Sequence, residues 1–456
     1  MKLLSQNNIS PFDLQLPNTN DLKWSVWNDL IDIGENDLVV FNTFSRNAVL
    51  VDKTEIKELT ELDESYLHIL FRLGILVDAK KNEKKEWDIL YSKGKEDLSY
   101  IDLTILLTQN CQMRCVYCFE GEKKKSVITT STINNILSFM QNQIGICKKL
   151  RVTWFGGEPL LAYNRLRDIS VALINFCKEN HIKYSADITT NGLALNRRRC
   201  EELIFDLNVK RYIITVDGLE DIQEQRRPLL SRKRYFPILW RNLEMLVEMG
   251  ALVTVRVTID KNNISHIPAL LHRIANSKLK KCVGLAFCRT IDYNYTPDNI
   301  SKDLYSETEF IDIEWELIQC AHTLGLWEYQ FPHAAPSGGC LRKGDIVIGV
   351  DGEIYKCLDT VGNPQWITGN IGVQEDVLQI EPEWYGMWNK WSPFKNDICK
   401  DCVLVPLCNG GCPHNALFTD KKHGTQSGCP DWKANYRKQI KSLVAEIYDN
   451  KTLQSR

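Results

Sequence analysis

The chain has no strong excess of charge of either sign. Its 456 residues carry 56 Lys and Arg against 58 Asp and Glu, a formal net charge of -2. Surfaces that bind nucleic acid are strongly basic, so nucleic acid is not expected as the main partner. No uninterrupted apolar run approaches the roughly 20 residues of a membrane span, and the N-terminus, MKLLSQNN, lacks the apolar core of a signal peptide. We therefore expect a cytoplasmic protein with no membrane partner.

Cysteine, in contrast, is abundant, with 16 residues in the chain. Thiols stay reduced in the cytoplasm, so clustered cysteines there point to metal. The first cluster is Cys111, Cys115 and Cys118, with the spacing C-x3-C-x2-C directly after an apolar, β-type run. Three thiolates on a short loop can hold three corners of a cubane iron–sulfur cluster and leave the fourth iron without a protein ligand. That iron could bind a small molecule.

Two other interpretations of these cysteines fit the sequence less well. A structural zinc site needs a fourth Cys or His nearby, but the nearest downstream cysteine, Cys147, lies beyond a lysine run and a predicted helix. Disulfides are disfavoured because three is an odd number and the chain shows no secretory context. The pattern favours an iron–sulfur cluster over both.

The spacing, with Tyr117 just before the third cysteine, resembles the signature of the radical S-adenosylmethionine (SAM) enzymes. The resemblance implies that the open iron chelates SAM and that one electron cleaves SAM to a 5′-deoxyadenosyl radical. Cys111, Cys115 and Cys118 would then be both metal ligands and catalytic residues. Tyr117 and Phe119 would help to bind SAM.

From residue 98 onward, strand-like and helix-like stretches alternate. Strands are predicted at 101–108, 150–155, 184–190, 211–217, 252–260 and 283–287. Six βα units imply an α/β fold with a parallel sheet and right-handed crossovers, curled into a partial (β/α)6 TIM-like barrel. Chemistry in such barrels lies at the C-terminal ends of the strands, which is where the cysteine loop falls.

Two further strand ends carry polar motifs. Gly156, Gly157 and Glu158 follow the second strand. Two glycines let the backbone approach a ligand closely, and the resemblance implies that this element receives the amino group of SAM. Thr190 and Asn191 end the third strand, where the family places its ribose contacts, although a simple strand-to-helix cap is the alternative.

Asp217 ends the fourth strand and could hydrogen-bond the ribose or orient the substrate, so it is a candidate catalytic residue. Arginines downstream could pair with the SAM carboxylate in bidentate fashion. Most arginines form ion pairs at the protein surface, which is the alternative for all three candidates, Arg226, Arg227 and Arg256. Arg256 is the best candidate because it lies inside a predicted strand.

A second cysteine cluster lies near the C-terminus, and its members are Cys340, Cys357, Cys399, Cys402, Cys408, Cys412 and Cys429. The short spacings C-x2-C-x5-C-x3-C are hard to explain without metal. Two zinc sites are the alternative to iron–sulfur clusters.

This pattern resembles the SPASM extension of radical SAM peptide maturases, which holds two auxiliary 4Fe–4S clusters. The resemblance implies that Cys340, Cys357 and Cys412 hold one of them. The other would be held by Cys399, Cys402, Cys408 and Cys429. The first set lacks a close fourth cysteine, so that cluster either has an open iron or borrows a remote thiolate such as Cys288 or Cys320.

Before the barrel, strand-like runs at 38–42 and 48–52 precede a helix-like stretch and a third strand at 75–78. This order resembles the winged-helix recognition element fused to peptide-modifying radical SAM enzymes, which holds a precursor's leader as an added β-strand. A structural cap is the alternative. The predicted domains are residues 1–96 for this element and its linker, 97–300 for the barrel, 301–338 for a bridging helical region and 339–456 for the SPASM domain.

Together these resemblances imply an oxidoreductase that uses SAM, three 4Fe–4S clusters and a reductant such as flavodoxin or ferredoxin. It would install a thioether crosslink in a ribosomally made precursor peptide, as the sactipeptide and ranthipeptide maturases do. Alternatives are a carbon–carbon or ether crosslink, and formylglycine-type oxidation of a sulfatase. The non-enzymatic alternative is an iron–sulfur electron-transfer protein.

Overall fold

The computed structural model describes residues 2–5, 17–55, 59, 62–121, 125–280, 283–292, 301–333, 339–372, 383–418 and 428–454. The chain divides into two compact units. Residues 1–95, 329–339 and 387–456 form one, called here the terminal unit, and residues 96–328 and 340–386 form the other, called the barrel unit. Within the described ranges, no helix is both long enough and apolar enough to cross a membrane.

The strands and helices are numbered in chain order. The strands are β1 Lys2–Ser5, β2 Leu22–Trp24, β3 Asn28–Asp32, β4 Asp37–Asn42, β5 Asn47–Asp52, β6 Leu76–Asp78, β7 Tyr100–Leu106, β8 Lys149–Phe155, β9 Lys183–Thr190, β10 Val209–Thr215, β11 Leu252–Ile259, β12 Val283–Arg289, β13 Asp345–Ile348, β14 Glu353–Tyr355 and β15 Gly369–Asn370. The helices are α1 Glu64–Arg72, α2 Glu83–Glu96, α3 Thr130–Gln141, α4 Tyr163–Glu179, α5 Arg197–Glu201, α6 Glu220–Arg226, α7 Phe236–Glu248, α8 Ile267–Ala275, α9 Glu307–Thr323, α10 Glu383–Asn389, α11 Val405–Cys408, α12 Pro413–Phe418 and α13 Trp432–Gln454.

The terminal unit is built on an antiparallel sheet in the order β1-β5-β4-β3. Successive side chains of a strand point to opposite faces, and both faces of the β4–β5 hairpin are buried. Val39 on one face packs with Ile440 of α13. Val40 on the other face packs with Leu67 of α1. The N-terminal strands and the C-terminal helix therefore share one hydrophobic core.

The barrel unit is built on a sheet in the order β12-β11-β10-β9-β8-β7-β13-β14-β15. Strands β7 to β12 pair in parallel, which confirms the six predicted strands and the parallel core. Strand β13 adds in parallel beside β7, and β14 and β15 follow in antiparallel pairing. The sheet thus extends beyond the predicted barrel on its β7 side.

The two units differ from the predicted domains in the C-terminal half. The predicted 339–456 domain is divided at 386/387, because β13 pairs with β7 whereas α13 packs on the β4–β5 hairpin. The predicted bridging region 301–338 is divided at 328/329. The boundary at 95/96 lies one residue from the predicted one.

Strand β3 was not predicted, in part because a carboxylate occupies one of its inward positions. Asp29 is 3% exposed. It accepts a hydrogen bond of 2.6 Å from the Tyr436 hydroxyl and pairs with the Arg437 guanidinium. A buried charge is tolerated when it is paired and hydrogen-bonded, and both of its partners lie on α13, about 400 residues downstream in the sequence.

Ile440→Ala should destabilise the terminal unit. The side chain is fully buried between α13 and the sheet, and truncating a buried Ile costs about 2–5 kcal/mol of the free energy of unfolding. Lys441→Ala, at the exposed neighbouring position, is the control and should change it by less than about 0.5 kcal/mol. Denaturant unfolding followed by circular dichroism measures both, and equal effects would contradict the shared core.

Candidate functional site

The cysteine loop that follows β7 is held by backbone hydrogen bonds to the segment 226–230. The amide of Arg114 donates to the Pro228 carbonyl at 2.9 Å, and the amide of Val116 donates to the Arg226 carbonyl at 3.0 Å. In return, the amide of Leu230 donates to the Gln112 carbonyl at 2.9 Å. The loop backbone is therefore fixed by these main-chain contacts, and the amide of Met113 also donates to Cys111 Sγ at 3.4 Å.

Cys111 is buried, whereas Cys115 and Cys118 are half-buried. In the described part of the chain, no three Cys, His, Asp or Glu side chains converge closely enough to hold a single metal ion. A cubane has a different requirement, because each thiolate binds a separate iron and the sulfur atoms stand farther apart than the ligands of one ion. Three cysteines on a fixed loop are the donor set that such a cluster uses.

The glycines after β8 lie directly against the start of the cysteine loop. The amides of Gly157 and Glu158 donate to the carbonyls of Thr108 and Asn110 at 2.8 and 2.9 Å. Gly156 has φ +123°, and a Cβ there would lie 2.3 Å from the Thr108 oxygen; a Cβ on Gly157 would lie 2.4 Å from the Asn110 oxygen. Both positions need glycine because two backbone segments meet there, a reason that the sequence pattern did not reveal.

Glu158 joins the ends of β8 and β9. Its carboxylate is 1% exposed. One oxygen accepts hydrogen bonds from Thr190 Oγ1 at 2.7 Å and the Leu160 amide at 3.0 Å, and the other accepts from the Asn191 amide at 2.7 Å. Burial raises the pKa of the Glu158 carboxyl, and these hydrogen bonds oppose the rise. The predicted contact of Glu158 with the SAM amino group stays a prediction.

Asn191 and Gln112 form a side-chain amide pair between β9 and the cysteine loop. Asn191 Oδ1 accepts from the Leu193 amide at 3.1 Å, which fixes the orientation of its amide, and from Gln112 Nε2 at 3.3 Å. Asn191 Nδ2 and Gln112 Oε1 are buried, and neither has a hydrogen-bond partner among the described residues. A buried polar atom without a partner is costly, so one donor and one acceptor are left for a ligand.

Gln112 was missed by sequence reasoning because it occupies a variable position of the C-x3-C spacing. The available signal was an amide side chain inside a metal-binding loop, next to a strand end that carries another amide, Asn191. Only the fold brings these two positions together.

Asp217 is fully buried, and its carboxylate oxygens are occupied by contacts with other residues of the protein. One oxygen accepts from the Thr258 amide at 2.9 Å. The other accepts from the Tyr117 hydroxyl and lies 3.6 Å from Arg226 Nε. Arg226 also pairs with Asp260 at 2.7 Å. Asp217 therefore ties the cysteine loop to the ends of β10 and β11.

Arg227 places a buried positive charge beside the cysteine loop. Its Nη1 donates to the Tyr117 hydroxyl at 2.9 Å. Burial acts to lower the pKa of Arg227, but the nearby Cys115 thiolate and Tyr117 raise it above the ordinary value. Burial also raises the pKa of Tyr117 well above its ordinary value, so its hydroxyl stays protonated as the donor to Asp217.

Two other predicted SAM-binding residues have contrasting surroundings. Phe119 packs against Phe155, with ring centroids 6.2 Å apart, at the edge of an apolar cluster. Arg256 is half-buried on β11, in register with Thr215 of β10 and Ala286 of β12. No hydrogen bond or ion pair occupies its guanidinium within the described ranges, in contrast to Arg226 and Arg227.

In the terminal unit, four cysteines lie close together. Cys399 is buried next to Cys408, Cys429 and Cys402. Burial, followed by the charge of these neighbours, raises the pKa of the Cys399 thiol to about 12. Lys433 Nζ lies 3.4 Å from Cys429 Sγ. The fold thus gathers the four cysteines that the SPASM resemblance assigns to one cluster.

Glycines bring Cys412 beside Cys429. The amide of Cys412 donates to the Gly428 carbonyl at 2.6 Å. Gly411 has φ +75°, and a Cβ there would lie 1.9 Å from the Gly428 oxygen. The remaining predicted ligands, Cys340 and Cys357, belong to the barrel unit. The cluster assigned to Cys340, Cys357 and Cys412 stays a prediction.

Comparison with known proteins identifies the central part of this fold. Residues 105–274 match the family model of the Radical SAM superfamily. These residues form a radical SAM domain. The domain implies SAM and a 4Fe–4S cluster as cofactors, and the Cys111 loop lies within it.

Curated relatives are distant. The serine-type anaerobic sulfatase-maturating enzyme of Klebsiella aerogenes is 19% identical over 66% of this chain and 77% of its own length. The GTP 3',8-cyclase of Staphylococcus aureus is 29% identical over 37% of this chain. The chain spans about half the length of that cyclase (49%) and 43% of an uncharacterized protein of Methanocaldococcus jannaschii.

Solved structures with the same fold include two with bound peptides. The enzyme anSMEcpe with AdoMet and the Kp18Cys peptide matches with a TM-score of 0.58 and 16% identity, over 77% of this chain and 99% of its own. Streptococcus suis SuiB bound to its precursor peptide SuiA matches with a TM-score of 0.53 and 16% identity, over 89% of this chain and 98% of its own. At these identities the likeness is one of fold.

Gln112→Met should weaken SAM binding without destabilising the protein. The substitution removes a buried acceptor that has no partner in the described structure, and it removes the 3.3 Å hydrogen bond to Asn191 Oδ1, which keeps its bond from the Leu193 amide. The free energy of unfolding without SAM should therefore change by less than about 1 kcal/mol. Losing a hydrogen bond to the ligand should raise the Kd for SAM roughly 3- to 10-fold.

Gln141→Met, at an exposed position on α3, is the matched control. Anaerobic calorimetry gives the Kd and thermal unfolding gives the stability. An unchanged Kd together with a clear loss of stability would show that Gln112 serves the fold alone.

Proposed function

We propose that this chain is a SAM-dependent peptide maturase that installs a thioether crosslink between a cysteine sulfur and a carbon of a ribosomally made precursor peptide. The observation that carries the proposal is the buried amide pair of Asn191 and Gln112, which lies beside the Cys111 loop in a radical SAM domain and offers an unused donor and acceptor. A free amide donor and a free amide acceptor, side by side among the described residues, can hydrogen-bond the polar edge of a nucleoside that binds next to a cluster.

The residues of the barrel unit would hold the cofactors as follows. Cys111, Cys115 and Cys118 ligate the SAM-binding cluster, and Arg227 balances part of its negative charge. Arg256, which has no other partner among the described residues, pairs with the SAM carboxylate.

Asn191 and Gln112 contact the nucleoside of SAM. Glu158, Thr190 and Asp217 keep the strand ends and the loop in place through the hydrogen bonds described above.

When bound, SAM and its cluster supply a 5′-deoxyadenosyl radical that takes one hydrogen atom from the substrate. In thioether formation a C–H and an S–H bond break and a C–S bond forms, so that the peptide loses two hydrogen atoms. One leaves with the radical. The other leaves as a proton and an electron. Cys399 and its three neighbours Cys402, Cys408 and Cys429 could hold an auxiliary cluster, which would accept this electron. A flavodoxin or ferredoxin would supply the electron that cleaves SAM.

A precursor peptide as the substrate is supported by how much of this chain each structure matches. The SuiB structure, which contains the precursor peptide SuiA, matches 89% of this chain, and the anSMEcpe structure matches 77%. In the terminal unit, β3 is an edge strand of the sheet, and its Leu30 side chain is 54% exposed. A strand at the edge of a sheet can pair with an extended peptide. We propose that the leader of the precursor adds to the sheet beside β3.

Formylglycine-type oxidation of a sulfatase is the second candidate. It is favoured by the similarity to the Klebsiella aerogenes enzyme over 66% of this chain. Deleting residues 1–96 would be a poor way to separate the two candidates, because these residues share a core with α13. The products themselves separate them.

Cys118→Ala should abolish the reaction, since it removes a ligand of the cluster that cleaves SAM. Reconstituted wild-type protein with dithionite and SAM should release 5′-deoxyadenosine, measured by liquid chromatography, and the variant should release none above background. Cys177→Ala, at a buried cysteine outside the site, is the control and should keep the activity. Normal release by Cys118→Ala would refute the proposal.

The crosslink itself can be tested with cysteine-containing peptides encoded by short reading frames next to this gene. The product should lose two hydrogen atoms and one alkylatable thiol per crosslink, as seen by mass spectrometry before and after iodoacetamide. A crosslinked product that keeps all its thiols would indicate a carbon–carbon or ether bond. An aldehyde product in a sulfatase peptide would favour the second candidate.

Leu30→Asp should weaken binding of the same precursor roughly tenfold, because an added strand would cover this side chain. SAM cleavage without peptide should be unchanged. Leu3→Asp on β1, at the opposite end of the sheet and 45% exposed, is the matched control. Fluorescence anisotropy of a labelled precursor gives the Kd. Weaker binding by Leu3→Asp alone would contradict docking at β3.

A further inference from the structure

Lys433 lies in the first turn of α13, and its side chain reaches the group of four cysteines in the terminal unit. Its Nζ is 3.4 Å from Cys429 Sγ. Cys402 is a second thiol close enough for its charge to act on Lys433. One lysine thus lies beside two of the four sulfur atoms that would ligate the cluster.

Other lysines near these cysteines have carboxylate partners instead. Lys400 pairs with Asp397 at 3.0 Å, and Lys84 pairs with Asp401 at 2.7 Å. For Lys433, no carboxylate lies at ion-pair distance among the residues that the structure describes. Its side chain is half-buried, so its charge acts on the sulfur atoms with less screening than an exposed charge would.

A hydrogen bond to a ligating sulfur, and a positive charge beside it, stabilise the form of a cluster that carries more negative charge. Reduction adds one negative charge, so both effects raise the reduction potential. The start of α13 adds to the effect, since the N-terminal end of a helix carries a partial positive charge.

We propose that Lys433 is a positioning residue that raises the reduction potential of the cluster held by Cys399, Cys402, Cys408 and Cys429. The inference rests on the proposed function, because it requires that cluster. A higher potential makes this cluster a better acceptor for the electron that leaves the substrate. Lys433 would therefore favour completion of the crosslink over return of the electron.

The test compares Lys433→Met, which removes the donor and the charge, with Lys433→Arg, which keeps both. Lys441→Met is the control, with the same change at an exposed position on α13. Each full-length protein is reconstituted anaerobically, its iron content is measured, and its clusters are titrated with dithionite under electron paramagnetic resonance. Cys402→Ala, which removes a ligand, identifies the signal of this cluster.

At a fixed solution potential, Lys433→Met should lower the ratio of reduced to oxidised cluster about tenfold, as expected for a lost hydrogen bond to a charged group. Lys433→Arg and Lys441→Met should match the wild type. If Lys433→Met does not retain full iron, Lys433→Leu, which also removes the donor and the charge, is scored in its place.

An unchanged titration in a fully loaded Lys433→Met or Lys433→Leu protein overturns the inference and leaves the proposed function standing. A wild-type protein that shows no signal sensitive to Cys402→Ala refutes the auxiliary cluster, and the inference fails with it.

Discussion

The site depends on one constraint, the backbone contact between the cysteine loop and the strand ends around it. Carbonyls at the start of the loop accept the amides of Gly157 and Glu158, and its middle pairs with the segment 226–230. These contacts fix the path of the loop. The glycines at 156 and 157 are needed because any side chain there would meet the loop backbone.

Charge is arranged around the same loop. Asp217, Arg226 and Asp260 form a buried chain of ion pairs at the ends of β10 and β11, and Tyr117 connects this chain to Arg227. Burying charged groups is favourable only when they are paired and hydrogen-bonded. The network therefore holds a positive charge next to Cys115, where an anionic cluster would need it. Arg256, by contrast, has no hydrogen-bond or ion-pair partner among the residues that the structure describes.

The sequence was sufficient to predict the six parallel strands, and this prediction rested more on the family resemblance of the two cysteine sets and of Gly156, Gly157 and Glu158 than on periodicity. It could not show that Glu158 bonds Thr190 and the Asn191 amide, or that Gln112 meets Asn191, since these contacts join residues that are distant in sequence. It also placed residues 339–456 in one domain. The pairing of β13 with β7 and the packing of α13 on the N-terminal sheet are long-range interactions that local patterns do not encode.

The most direct test of the central claim is an anaerobic crystal structure of the reconstituted protein with SAM. The account predicts a cubane on Cys111, Cys115 and Cys118 whose fourth iron binds SAM, with Asn191 Nδ2 and Gln112 Oε1 at hydrogen-bond distance from the ligand. A single metal ion on the three cysteines, or SAM bound away from the amide pair, would contradict it.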